Sequence, residues 1–242
     1  MKTPSEIWLY LSHSAIFWLF FTLLAYQLGI WVYQKCHYNT FLSPFIVAVA
    51  LILGVLCLSE TSYENYFEGA QMIHLLLGPA TVALAVPLFD YRRHIIKLFI
   101  PIVVGVSVGS ITGIVSTLVL GGLLNISMQS SLSLAPKSVT TPIAMSIAQQ
   151  IGGLPEFTAA VVAITGVVGA LMAVPLLRLF KIKSDVAKGF AIGMAAHGMG
   201  TSRAFQISNK AGAFSGLAMG LSGIWTAFLA PYIAPWILSW FY

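Results

Sequence analysis

Residues 136–142 read Pro-Lys-Ser-Val-Thr-Thr-Pro, a lysine and three hydroxyl side chains bracketed by two prolines. Apolar stretches long enough to cross a membrane lie to either side. Proline lacks an amide donor and interrupts a helix. Broken backbone survives in hydrocarbon only where protein or a water-filled cavity covers it. Ionisable groups at that depth are expensive and mark substrate or ion paths. Lys137 supplies a cation here, and Ser138, Thr140 and Thr141 supply hydroxyl donors. Pro142 suits the first turn of a helix, so Thr141 falls near the N-cap, where free amides and the positive dipole end favour an anion. Together these groups would cradle a carboxylate. The competing reading of Lys137 is a side chain snorkelling to the interface. Gln149 and Gln150, on the same helix, either contact the ligand or tie the helix to its neighbours.

A second polar interruption follows at His197-Gly198-Met199-Gly200-Thr201-Ser202-Arg203. The two glycines loosen the helix and bare its backbone. Arg203 offers a planar fork that matches a carboxylate, Thr201 and Ser202 add hydroxyls, and His197 could take up a proton. The plainer alternatives are a hydrogen-bonded histidine inside the bundle and an arginine paired with Asp90 or Glu68. Asp90 itself follows Pro87 on a kinked helix, or sits at the interface. Two polar breaks in one apolar chain suggest a transport site between broken helices.

The elements that must hold these residues are spans of a membrane protein. Of 242 residues, 58% are hydrophobic and 8% charged, against about 25% charged in a soluble domain. The mean hydropathy is +0.90. The expected fold is all-α and polytopic, with about seven or eight apolar segments, some broken or re-entrant. The runs are Ile7–Ile30, Phe41–Leu58, Gly69–Phe89, Ile95–Leu120, Leu134–Ile151, Phe157–Phe180, Val186–Phe205 and Gly212–Trp240. They form a single integral membrane domain over 1–242: an N-terminal helix in 1–40, a first half in 41–125 and a second in 134–240. The first run is too long for a signal peptide and reads as a retained span.

Loop charges orient the chain. The net charge of +5 arises from short basic loops, Tyr91–Lys97 and Arg178–Lys188, so it points to a cytoplasmic face and not to nucleic acid. The loop Ser59–Glu68 is acidic and fits the other side. If 134–151 were an ordinary span, the two basic loops would fall on opposite sides. If it enters and returns, both fall inside, and charge favours this re-entrant reading. The two halves also share Ser43-Pro44 with Thr141-Pro142, and glycines nine apart at Gly69/Gly78 and Gly189/Gly198, a hint of an inverted repeat that is only partial, because the second half holds an extra segment, Phe157–Phe180. The ladders Gly105/Gly109/Gly113 and Gly212/Gly216/Gly220 read as close helix packing.

Several classes are set aside. The chain has no Walker loop and no His-x-x-x-His pair. His13, His37, His74 and His94 are scattered, and Cys36 and Cys57 form no metal spacing. The expectation is a non-enzyme without metal or cofactor.

Three stretches also carry a resemblance. Leu134-Ala135-Pro136-Lys137-Ser138-Val139-Thr140-Thr141-Pro142-Ile143-Ala144, Ile151-Gly152-Gly153-Leu154-Pro155 and His197-Gly198-Met199-Gly200-Thr201-Ser202-Arg203-Ala204 occur in an order that resembles the LrgB/CidB family. Tyr66-Phe67-Glu68-Gly69 and Ala83-Leu84-Ala85-Val86-Pro87-Leu88 extend the likeness over Phe41–Trp240. Gln206 departs from it, standing where the family pattern implies an acidic residue, so proton coupling through that position is in doubt. The resemblance implies one of two functions. One is carriage of small monocarboxylates such as pyruvate, glycolate or glycerate. The other is holin- or antiholin-like control of murein hydrolase export and lysis. It also implies a cell (inner) membrane location and a small LrgA/CidA-type membrane partner. Lipid, a carboxylate substrate and a second copy of the chain are the other expected partners.

Overall fold

A computed structural model describes residues 14–36 and 42–242. The start of the first apolar run, Phe41 and the histidines at 13 and 37 lie outside the described residues. Every described element is a helix. In chain order they are α1 (Ala15–Lys35), α2 (Pro44–Leu58), α3 (Tyr63–Leu75), α4 (Leu77–Ala83), α5 (Ala85–Asp90), α6 (Arg92–Lys97), α7 (Phe99–Leu123), α8 (Met128–Leu134), α9 (Thr141–Ile151), α10 (Pro155–Leu179), α11 (Asp185–Ile207) and α12 (Asn209–Leu238).

Among the described residues four helices, α1, α7, α10 and α12, are long and apolar enough to cross a membrane, and α2 is a shorter apolar helix. The seven or eight segments expected from the apolar runs are therefore not all continuous spans. The run Gly69–Phe89 is divided among α3, α4 and α5, and Leu134–Ile151 is cut at the Pro136–Pro142 stretch. Large apolar side chains such as Phe20, Val104, Ile164 and Phe228 remain exposed along the long helices. A soluble monomer would bury such a continuous surface; in a membrane, lipid would cover it. The described residues are those of an all-helical, multi-pass membrane protein.

The chain divides into two compact units, Met1–Ala83 and Leu84–Tyr242. The boundary falls inside the first half drawn from sequence. In the first unit Trp18, Ala25, Ala48, Ile52 and Leu56 form a core. Tyr66 closes it, with its ring edge-on to Trp18 at 5.5 Å and its hydroxyl 3.1 Å from that of Thr22.

The second unit contains the polar breaks, and its helix pairings fix their arrangement. α7 and α12 run parallel. Phe214 packs on Ile102 and Val106, Trp225 donates to Ser107 Oγ at 2.8 Å, and Tyr242 donates to the Ile126 carbonyl. α10 runs the opposite way. Its start is pinned to α8, where the Leu154 amide donates to Ser133 Oγ at 2.7 Å and Thr158 Oγ1 to the Ser133 carbonyl at 2.9 Å. Its end packs with Ile192, Ala204 and Ala211.

Between these spans lie two helical hairpins. The first is α8, a turn and α9. At 11 residues, α9 is about 16 Å long, roughly half a hydrocarbon core. It stops at Gly152, whose φ of +89° is a left-handed cap that suits glycine. The chain then returns to Ser133, so both ends of this hairpin lie at the C-terminal end of α7. The second hairpin is α11 itself, which folds back at Ala196 and His197. Its ends meet, since Ser208 Oγ donates to Asp185 Oδ2 at 2.9 Å. Gly189 and Gly193 lie directly against the backbone of Ala211 and Ser215 on α12. No side chain fits there, and the absence of one lets the arm pack so closely. This hairpin opens at the N-terminal end of α7, where Val186 and Phe190 share the Ile102, Val106 and Phe214 core with Tyr91, Ile95 and Leu98. The basic segments 91–97 and 178–188 thus lie at the same end of this unit.

Candidate functional site

The two hairpin tips meet halfway along α7. Going down that helix, Phe190 covers Gly105, Met194 covers Gly109, Ser138 lies beside Gly113 and Ser131 covers Gly121. The first two belong to the second hairpin, the last two to the first. One helical turn, about 6 Å, separates the contact points of the tips. The α7 glycine ladder thus seats both tips. The α12 ladder is less uniform, because Gly212 lies against the Phe205 ring whereas Gly220 has nothing within 4 Å.

A small cleft lies at this junction, with ≈ 10 Å³ of free volume for a water-sized centre. That is about the room one water needs. Its polar lining is Ser110 from α7, Ser138 from the first tip, and Ser222 and Thr226 from α12; Pro136 and Met194 close it from either hairpin. Ser110 is 5% exposed, and its hydroxyl has no hydrogen-bond partner among the described residues. Buried hydroxyls are normally satisfied, so this one is free to receive a polar group in the cleft. Ser222 is engaged, donating to the Met219 carbonyl at 2.9 Å.

The first tip is built by its prolines. The Lys137 amide donates to the Leu134 carbonyl and the Val139 amide to that of Pro136, both at 3.2 Å, so 134–139 is a pair of tight turns. Thr140 is the N-cap in extended conformation, one residue before the position expected from sequence, and Thr141 and Pro142 open α9. The Thr140 side chain does not cap the helix, leaving its first turn open. Lys137 Nζ donates to Thr117 Oγ1 on α7, and Thr117 Oγ1 donates to the Gly113 carbonyl at 2.6 Å. The lysine therefore anchors the tip one turn beyond the cleft. Gln149 and Gln150 are exposed in the last turn of α9, toward the hairpin base.

The second tip depends on His197. Its φ of 39° and ψ of −129° fall outside helical space, in a region costly for a residue with a side chain. The ring compensates by settling against Gly166 and placing Nε2 3.1 Å from the Val162 carbonyl. Thr201, buried, donates to the His197 carbonyl at 2.9 Å and lies 3.0 Å from Ser215 Oγ, tying the returning arm to α12. Ser202 is exposed. Arg203 donates to the Gln206 amide oxygen. It lies six residues past the tip, about 9 Å toward the hairpin base. Asp90 is exposed at the end of α5.

The candidates thus occupy three levels: Ser138 in the cleft, Lys137 beside it, and Arg203 nearer the base of the other hairpin. Sequence reading passed over Ser110, Thr117, Ser222 and Thr226. Their signal was a hydroxyl on an otherwise apolar helix, too common in membrane spans to stand out without the fold.

A family model described as LrgB-like matches residues 22–236. Among curated relatives, the uncharacterized protein YwbG of Bacillus subtilis is 38% identical over 89% of this chain and 95% of its own length. The holin-like protein CidB of Staphylococcus epidermidis is 28% identical over 91% of this chain and 96% of its own. The antiholin-like protein LrgB of Bacillus mycoides is 28% identical, covering 89% and 94%. No solved structure matches. A match of this extent settles kinship, and the chain belongs to the LrgB-like family.

Proposed function

We propose that this protein is a secondary carrier of small monocarboxylates, of the pyruvate, glycolate or glycerate kind, in the cell membrane. The observation that supports this most is the hydroxyl-lined cleft where two oppositely directed hairpins meet, with the Ser110 hydroxyl unengaged. On this reading both hairpins are re-entrant, and span plus hairpin occurs twice in opposite sense, the inverted architecture on which alternating access is commonly built. A carboxylate oxygen would accept from Ser110 and Ser138. Lys137 would leave Thr117 to meet the anion, and Arg203 would hold it at another stage of the cycle. Thr140, Thr141 and the open first turn of α9 would add donors, with Thr201, Ser202 and His197 shaping the opposite tip.

Saturable uptake of radiolabelled pyruvate and glycolate into proteoliposomes under an imposed proton gradient tests this. Uptake lost in Arg203→Ala and Lys137→Gln, with normal membrane insertion, is the expected result. Unimpaired uptake by both variants would remove these cations from the site.

The names of the CidB and LrgB relatives favour a second reading, a holin- or antiholin-like regulator of murein hydrolase export and lysis. It requires assembly with itself or with a small LrgA/CidA-type partner. It predicts unselective leakage of solutes, insensitive to Arg203 and Ser110.

A further inference from the structure

A second cavity, of ≈ 410 Å³, opens where α10 passes into α11. Three cations line it, Arg178, Lys183 and Lys188, and its walls are Val174, Leu177, Ile182 and Ile207. We propose that this cavity binds an anionic phospholipid, its headgroup phosphate among the cations and its acyl chains along the outer face of α10.

The site is built by the way α10 ends. Lys181 adopts a left-handed φ of 54°. Its amide returns to the Arg178 carbonyl at 3.0 Å, and the Ile182 amide to that of Leu177 at 2.9 Å. This is the pattern of a helix C-cap that folds an apolar residue back on the last turn; here Ile182 packs on Leu177. The reversal places Lys183 opposite Arg178 across an apolar floor. The C-terminal end of α10 carries partial negative charge, which favours cations there.

The charge balance is one-sided. The acidic group beside this cavity, three residues from Lys188, is Asp185, and it is already engaged by Lys188 Nζ and Ser208 Oγ, each at 2.9 Å. Lys210 acts on the same carboxylate. Arg178 and Lys183 are exposed and are left to meet an external anion. A free phosphate would need only the cations. The four apolar walls, and the exposed Leu176, Leu179 and Phe180 on the adjoining turn, point to a ligand with a hydrocarbon part. α10 is a candidate span that ends here. The site therefore falls at headgroup depth, beside one of the two basic loops that charge assigns to the cytoplasmic leaflet, where anionic lipid attracts basic side chains.

Native mass spectrometry of the detergent-purified full chain, titrated with phosphatidylglycerol or phosphatidylcholine, tests the proposal. Phosphatidylglycerol should be retained and should raise the thermal midpoint, and phosphatidylcholine should do neither. Each cation near an anionic surface is worth about five-fold in affinity, so Arg178→Gln with Lys183→Gln should weaken phosphatidylglycerol roughly 25-fold at low salt. Both side chains are exposed, and the lipid-free midpoint of the double variant should match the parent, which separates lost binding from lost folding. Equal retention of the two lipids, or unchanged affinity in the double variant, overturns the proposal. So does displacement by soluble glycerol phosphate at matching concentration, which would make this a phosphate site. Retention of a protein in place of lipid would overturn it too.

Discussion

Replacing Ser110 by alanine should make the empty protein more stable and the working protein worse. Ser110 is 5% exposed, and its hydroxyl lacks a partner among the described residues. A buried unsatisfied polar group costs about 1–3 kcal/mol. Alanine removes that cost and leaves a gap of one oxygen atom beside a cleft already large enough for water. A net gain of about 1 kcal/mol is expected, which for a chain of this size raises the midpoint by roughly 2–4 °C. With substrate bound the sign reverses. A hydrogen bond to a charged group is worth about 1.5–3 kcal/mol, so losing the donor should lower uptake efficiency at limiting substrate by about 10- to 100-fold. The assay pairs thermal unfolding in detergent with initial uptake rates in proteoliposomes, both on Ser110→Ala. A lower midpoint with normal uptake would refute the reasoning, because it would show a structural hydroxyl already satisfied within the protein.

Further substitutions separate the parts of the hairpins. His197→Gly should melt higher than His197→Ala: both lose the bond to Val162, but only glycine relieves a backbone conformation costing about 1–3 kcal/mol. Gly193→Ala should fail to give a monodisperse protein on size exclusion, since its methyl would meet the Ser215 backbone; Gly198→Ala, with nothing within 4 Å, should behave as the parent. The hydrogen bond from Lys188, and then that from Ser208, hold the Asp185 carboxyl below its ordinary value. A carboxyl lowered on folding stabilises fully above its unfolded value, about 3.9, and loses that contribution as pH falls through the folded one. The midpoint contribution of Asp185 should therefore be flat from neutral pH to about 5 and decline only below about 4. Asp185→Asn should remove that acid-dependent part, and a decline beginning near pH 6 that Asp185→Asn abolishes would contradict the assignment.

Membrane class was legible in composition, because an 8% charged chain has too few charges to cover a soluble surface. The break at Pro136–Pro142 was legible as well, since proline acts on backbone locally wherever it stands; the second was located only approximately, because the residues that leave helical space are Ala196 and His197 and not the glycines beside them. Family membership followed from the order of the same motifs. The loop charges favoured re-entry of 134–151 over an ordinary span, and the contact that sets the end of α9 against Ser133 comes from packing that loop charge does not encode. What local sequence could not carry was which residues face one another. The hydroxyls of Ser110, Ser222 and Thr226 sit on long apolar helices and acquire meaning only when α7 and α12 run parallel and bring them to the Ser138 turn. Arg203 and Lys137 look equivalent as cations in a row of letters, yet one bonds Gln206 toward a hairpin base and the other Thr117 near the cleft. Local interruptions are set by backbone chemistry within a few residues. The meeting of the tips is set by packing between helices far apart in the chain, through glycines whose spacing gives the close approach but not the partner.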